Sequence, residues 1–295
     1  MATSQPVRVI DSFTATSSSD PFPFDLFECK CLAQGDSWFS FGAIPPTLTT
    51  SVLAELELAR ATVVVNCASP GARLARMMDT TTQRAFLRHL AGKLSTRWDA
   101  ILVSGGGNDL IEAATAGPAA ALGERLFLTA GERGGGPLPA EGYLSEAGWS
   151  TFAQHLTAVF EKLIKKRDSG QNRGVPMLFH NYHPVMPRPA SAGFGFGPWL
   201  QPALSAFAIP PGDWLAVADA LMARLAGLID AVLAARRATD PGCELHVVDT
   251  RSAALVLAAA GSSGSSGDFA NEIHPTRAGY RKLAGRWAQR LDALP

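Results

Sequence analysis

Few stretches of this 295-residue chain carry side chains that could do chemistry, and each is short. Gly35-Asp36-Ser37-Trp38 follows an apolar run, so a serine hydroxyl stands where a strand gives way to a tight turn. Asn66-Cys67 leads into Ala68-Ser69-Pro70-Gly71, where a glycine permits close backbone approach and offers an unobstructed N–H. A third turn, Ser104-Gly105-Gly106-Gly107-Asn108-Asp109, presents the Asn108 amide. Near the C-terminus, Asp268-Phe269-Ala270-Asn271-Glu272-Ile273-His274-Pro275-Thr276 holds a histidine directly before a helical pattern. There one ring nitrogen can face a nucleophile while a neighbour fixes the other. Taken singly, each residue has an ordinary alternative: a turn serine, a turn asparagine, a structural histidine. Together they suit acyl transfer, in which a base takes the proton of a serine hydroxyl and preorganised donors receive the oxyanion.

Other chemistries lack their residues. The Gly105 turn fails as a dinucleotide loop because Leu110 occupies the sixth position of GxGxxG, and no Gly-Lys-Ser follows for a phosphate loop. HExxH and CxxC are absent, and the six histidines are scattered, so neither a metal nor an organic cofactor is expected. Cys29, Cys31, Cys67 and Cys243 are too few and too unevenly spaced for a disulfide framework. Cys29 and Cys31 fall on one face of a strand, where they cannot easily bridge to each other.

The elements that position these residues follow from periodicity. Apolar runs over Phe27–Gln34, Thr62–Cys67, Ala100–Ser104, Pro176–Asn181 and Glu244–Asp249 alternate with helical patterns over Leu48–Ala59, Thr80–Leu94, Thr151–Arg167, Asp213–Arg237 and Thr276–Leu291. Such alternation predicts an α/β fold with a parallel sheet of about five strands, buried on both faces. Ser150 is placed to cap the third helix. Tyr280, Leu283, Ala284, Trp287 and Leu291 make one apolar stripe on the last. Parallel strands bring Ser37, Gly71 and Asn108 to the carboxyl edge of the sheet, where ligands bind in open α/β folds.

Two long loops interrupt the alternation, over about residues 115–148, with a Gly-rich patch at Gly134–Gly136, and about 182–212. Loops of that length in a compact domain usually carry function. The second holds His183, Phe194, Phe196 and Trp199, and reads either as a wall of an acyl pocket or as a loop packed on the last helices. Gly261–Gly267, GSSGSSG, reads as a flexible connector.

The order of these motifs resembles the SGNH, or GDSL, hydrolase family, from Gly35 to the final helix. The resemblance implies one three-layer α/β/α domain with a flavodoxin-like sheet over residues 1–295, the first 25 or so forming an N-terminal extension. It implies Ser37 as nucleophile, His274 as general base, and an oxyanion hole of the Ser37 and Gly71 N–H groups with the Asn108 side chain. One position departs: the family usually carries aspartate three residues before the histidine, where this chain has Asn271. Asn271 can orient the imidazole without a charge, Asp268 or Asp249 can substitute, or the protein is a weakened or silent ligand binder. The expected activity is carboxylic ester hydrolysis on a small or lipid-like ester, with thioesterase or O-acyltransferase activity as alternatives on the same scaffold.

Composition bounds the partners. Hydrophobic residues make up 47% and charged ones 18%, and 26 basic residues balance 26 acidic ones, so a core is expected and no electrostatic footprint for nucleic acid. The first residues are broken by Asp11, by Ser17 to Asp20 and by prolines, which disfavours a secretory leader and points to the cytoplasm. The long uncharged stretch Pro189–Gly212 is too rich in Gly and Pro to insert in a membrane.

Overall fold

The computed structural model of the chain describes residues 4–40, 50–79, 81, 84–134 and 138–294. Among the described residues six strands form one parallel sheet: β1 (Arg8–Asp11), β2 (Cys29–Gly35), β3 (Thr62–Asn66), β4 (Ala100–Ser104), β5 (Met177–His180) and β6 (Leu245–Val248), in the order β1-β3-β2-β4-β5-β6. Helices flank this sheet as in an α/β/α layering, and the chief ones are α1 (Arg84–Ala91), α2 (Gly107–Ala114), α3 (Glu146–Asp168), α4 (Trp214–Thr239) and α5 (Arg277–Asp292). The central strands are apolar throughout because helices cover both faces: every residue of β4 is buried, and Val63, Val64 and Val65 of β3 are fully so.

The sheet has six strands, where five are expected from the apolar runs. The sixth, β1, lies within the N-terminal extension and pairs with β3 from Arg8 to Asp11. Its pattern has one buried residue, Ile10, in four, as befits an edge strand whose outer side meets solvent. The expected helix over Leu48–Ala59 begins outside the described residues at Leu48 and Thr49, and from residue 50 onward it is not a helix. Val52 instead donates its N–H to the Trp38 carbonyl, and Glu57–Leu58 pairs antiparallel with Gln5–Pro6. Of the helix expected over Thr80–Leu94, Arg84–Ala91 is helical, while Thr80, Thr82 and Gln83 lie outside the described residues, as do Gly135 and Gly136 of the Gly-rich patch. The cap of α3 is Ser145, not Ser150: its Oγ accepts from the Gly148 N–H at 3.1 Å and the helix starts a turn and more earlier.

The last helix matches its pattern. Thr276 caps it through the Gly279 N–H, and Tyr280, Leu283, Ala284, Trp287 and Leu291 are all buried. The 182–212 loop contains a short helix, Gln201–Ala206. The GSSGSSG segment, expected to be a flexible connector, is engaged: the carbonyls of Ser262 and Gly264 accept from the buried Arg188 guanidinium. Cys29 and Cys31 face one another at 3.8 Å as free thiols. No helix among the described residues is long and apolar enough to cross a membrane.

Candidate active site

Because β3, β2 and β4 are adjacent and parallel, the turns that follow them lie side by side at the carboxyl edge. The first turn is tight. Gly35 is needed there because a Cβ would stand 2.8 Å from the Ser104 Cβ and 3.0 Å from its carbonyl oxygen. The Asp36 N–H bonds to the Ser104 carbonyl, and the Asp36 carboxylate accepts from the Trp38 N–H at 3.0 Å, which fixes the turn that projects Ser37. After β3 the Ser69 N–H bonds to the Gly35 carbonyl, and Gly71 takes a positive φ of 69° with open space where a side chain would be. After β4 Gly106 turns at φ 105° and starts α2, whose first turn carries Asn108. One N–H of the Asn108 amide donates to the Ala72 carbonyl at 3.1 Å and ties the second turn to the third.

His274 reaches this edge from the loop before α5. Its Nε2 lies 2.9 Å from Ser37 Oγ and its Nδ1 2.9 Å from Asn271 Oδ1, with both residues buried. The same Asn271 oxygen also accepts the backbone N–H groups of Ile273, at 3.2 Å, and His274, at 2.9 Å. Backbone N–H groups can only donate, so the atom they meet must be the amide oxygen. Nδ1 of His274 is then the protonated nitrogen, and Nε2 turns a lone pair toward the serine hydroxyl. Burial pushes the His274 imidazole down to about 4, so it is neutral near pH 7. The other amide atom, Asn271 Nδ2, is buried with no hydrogen-bond partner among the described residues.

The two acidic substitutes do not reach His274. Asp268 accepts from the Val256 N–H at 2.6 Å and from Lys282 Nζ at 2.7 Å, while Asp249 accepts from Asn181 Nδ2 at 3.0 Å and the Ser252 N–H at 3.3 Å. Ser37, Gly71, Asn108, Trp199 and His274 line one cavity, and the Trp199 ring meets the imidazole edge-on at 5.1 Å between centroids. His183 lines an adjoining cavity, with Nδ1 committed to the Pro184 carbonyl at 2.8 Å. Phe194 is not part of the wall: it is 85% exposed, and Phe196 lines the cavity in its place.

Two residues that sequence reasoning missed hold the site together. The buried Glu272 carboxylate accepts the consecutive N–H groups of Trp199, Leu200 and Gln201, the latter two at 2.9 and 2.8 Å, and so clamps the Trp199 wall beside His274. Arg188 donates to the Asn271 carbonyl at 2.7 Å and to the Ser262 carbonyl at 3.0 Å from inside the same loop. Their signal was available: Arg188 is the only Lys, Arg, Asp or Glu between the fourth apolar run and Asp213, and Glu272 sits between the motif's own Asn271 and His274. Beneath Ser37, Asp36 also accepts from the Tyr182 hydroxyl at 2.5 Å and from the Ser104 hydroxyl at 2.7 Å, and Ser104 is 2.9 Å from His180 Nε2. Burial raises the Asp36 carboxyl to about 6 despite these donors. No cluster of His, Cys, Asp or Glu among the described residues could hold a metal ion.

Among solved structures the chain is similar to an extracellular lipase from Streptomyces rimosus, at 17% identity over 90% of this chain and 100% of that one, with a TM-score of 0.47. It is also similar to a lipase/acylhydrolase from Enterococcus faecalis, at 13% identity over 90% and 95% with a TM-score of 0.42, and to an acetylxylan esterase from Geobacillus stearothermophilus, at 12% identity over 90% and 94% with a TM-score of 0.42. No curated protein sequence matches significantly. The profile of the family described as GDSL-like lipase/acylhydrolase matches residues 11–287, nearly the whole length, and the chain belongs to that family.

Proposed function

We propose that the protein is a serine-dependent carboxylic ester hydrolase that works through an acyl-Ser37 intermediate. The observation that carries this reading is the hydrogen-bonded line from Asn271 Oδ1 through His274 to Ser37 Oγ, with the imidazole in the one tautomer that can accept the hydroxyl proton. In the first half-reaction Ser37 Oγ attacks the ester carbonyl carbon as its proton passes to His274 Nε2. The N–H groups of Ser37 and Gly71 and the second N–H of the Asn108 amide receive the oxyanion. Collapse breaks the bond to the alcohol oxygen, which takes the proton from Nε2 and leaves. Water then attacks the acyl-serine with Nε2 as base, and the carboxylic acid departs as Ser37 regains its proton.

A fluorophosphonate probe followed by mass mapping tests this without a guess about substrate. A stoichiometric adduct on Ser37, lost in Ser37→Ala and in His274→Ala, is the expected result. Absence of an adduct in folded protein would refute an activated serine and leave a ligand-binding role.

A further inference from the structure

Two cavities meet at Ser37, and only one of them contains His274. The larger, about 110 Å³, is lined by Gly71, Phe196, Trp199 and His274. The smaller, about 30 Å³, is lined by Trp38, Ile111, Tyr182, Val185 and Met222. Ser37, Asn108 and Ile273 border both. In ester cleavage the imidazolium must hand its proton to the alcohol oxygen, so the alcohol lies on the histidine side. The acyl chain, the remaining substituent on the tetrahedral carbon, is then directed into the small cavity.

We infer that this slot makes the enzyme selective for short acyl groups, acetyl to butyryl, carried on a bulkier alcohol that rests against Phe196 and Trp199. The inference rests on the acyl-Ser37 reading. Its basis is size and polarity. A volume of about 30 Å³ accommodates about two or three water-sized groups, which is the part of a short acyl chain beyond the carbonyl carbon. Apart from Asp36 and His183, whose polar atoms are engaged by Tyr182 and Ser104 and by the Pro184 carbonyl, the slot walls are mostly apolar and buried: Trp38, Tyr182, Val185 and Met222 are each 5% exposed or less. They are also backed by fixed contacts, since Tyr182 is held by its hydroxyl on Asp36 and its ring edges Trp38 at 5.1 Å. Widening the slot for a longer chain therefore requires a packed side chain to leave, rather than a surface loop to swing.

The test is kcat/KM on p-nitrophenyl acetate, butyrate, hexanoate and octanoate, run beside fluorophosphonate labelling of Ser37. In the natural chain the constant is expected to fall by about tenfold or more between butyrate and octanoate, the range that one poorly fitting group costs in a confined pocket. Met222→Ala should raise the octanoate-to-acetate ratio by about tenfold. Ile111→Ala, at a half-buried position that burdens folding less, should do the same and serves if the first variant does not fold. Octanoate turnover equal to butyrate in a protein whose Ser37 is labelled would overturn the slot while the esterase reading stands. An unchanged acyl profile in the folded variants would also overturn it. Failure of Ser37 to label would overturn both readings.

Discussion

Replacing Asn271 with aspartate isolates what a charge is worth in this site. The Asn271 oxygen already accepts three N–H groups, two from the backbone, so an aspartate can keep all of them. What changes is the buried Nδ2, which has no partner, and the arrival of a negative charge within 2.9 Å of Nδ1. Unit charges about 4 Å apart attract by about 4 kcal/mol at an effective dielectric of about 20, and desolvation of the new carboxylate offsets part of it. A neighbouring opposite charge typically raises such a group by about 1 to 3 pH units. The imidazole, now held down to about 4 by burial, should therefore move into the range of about 5 to 7. Stabilising the imidazolium by about 1.4 to 4.1 kcal/mol corresponds to about 10- to 1000-fold in turnover. That is below the roughly 10⁴ lost by the reverse change in a serine protease, where the tautomer is also wrong. The assay is the pH dependence of kcat/KM on p-nitrophenyl acetate for Asn271→Asp and the natural chain. Because the base must be neutral, activity falls as pH drops through the imidazole value, and this acid limb should move upward in the variant. A limb that stays near its original pH, with no gain in turnover on the plateau, would refute the reasoning.

Three further outcomes follow from the same geometry. Asn108→Ala should keep the fold, as read by circular dichroism, and lower kcat by about 10² to 10³, the usual effect of removing one oxyanion donor; an unchanged kcat would remove Asn108 from that role. Glu272→Gln replaces a carboxylate that accepts the N–H groups of Trp199, Leu200 and Gln201 with an amide that must turn its own donors toward one of them. It should cost about 1 to 3 kcal/mol, seen as a lower melting temperature, and an unaltered melting curve would sink the idea that the carboxylate clamps the loop. Asp36 is raised by burial from 3.8 to about 6, so the folded chain holds a proton that the unfolded chain has already lost between those values. Its contribution to stability is full below 3.8 and declines as pH rises through about 6. Relative to the natural chain, Asp36→Asn should thus gain stability between about pH 4 and pH 7, by about 1.4 kcal/mol per pH unit over the titrating range. Parallel denaturation curves at both ends would contradict a raised Asp36.

The parts of the fold that were legible share one property: their residues are buried against several neighbours at once. β2 to β5 stand out as apolar runs because both faces are covered, and α5 because its stripe packs whole. β1 escaped because an edge strand with a single buried residue has no such run. The Leu48–Ala59 pattern misled for a related reason: Leu53, Leu56 and Leu58 are buried as a helix would bury them, but through a turn and a two-residue strand pair. In the site, Ser37, Gly71 and Asn108 were legible because turns after parallel strands can only meet at one edge, and His274 because it stands directly before the last helical pattern. Side-chain direction within a loop was not: Phe194 and Phe196 are two residues apart, yet a positive φ of 53° at Phe194 belongs to a turn that sends its ring to solvent. Spacing along the chain likewise cannot tell that Lys282 and the Val256 N–H claim Asp268.

On the proposed reading, a neutral orienter is intelligible from what surrounds it. A triad acid does two separable things: it fixes the imidazole tautomer, and it offsets the charge of the imidazolium. In this chain the first is secured by the backbone, because the N–H groups of Ile273 and His274 pin the Asn271 oxygen in place. The Asn271 carbonyl is in turn pinned by Arg188, and the segment between them by Glu272. Arg188 and Glu272 are both buried and of opposite sign, the one bonded to the Asn271 carbonyl and the other two residues before His274, so the surroundings already hold one charge of each sign. A carboxylate at position 271 would add a third buried charge to that pair, and its desolvation would have to be offset by the imidazolium that forms only during turnover. Asparagine avoids that standing cost and leaves the imidazole a weaker base, whose neutral form persists into acidic solution. Orientation without charge is thus consistent with a site that accepts slower proton transfer in return for a base that remains available at low pH.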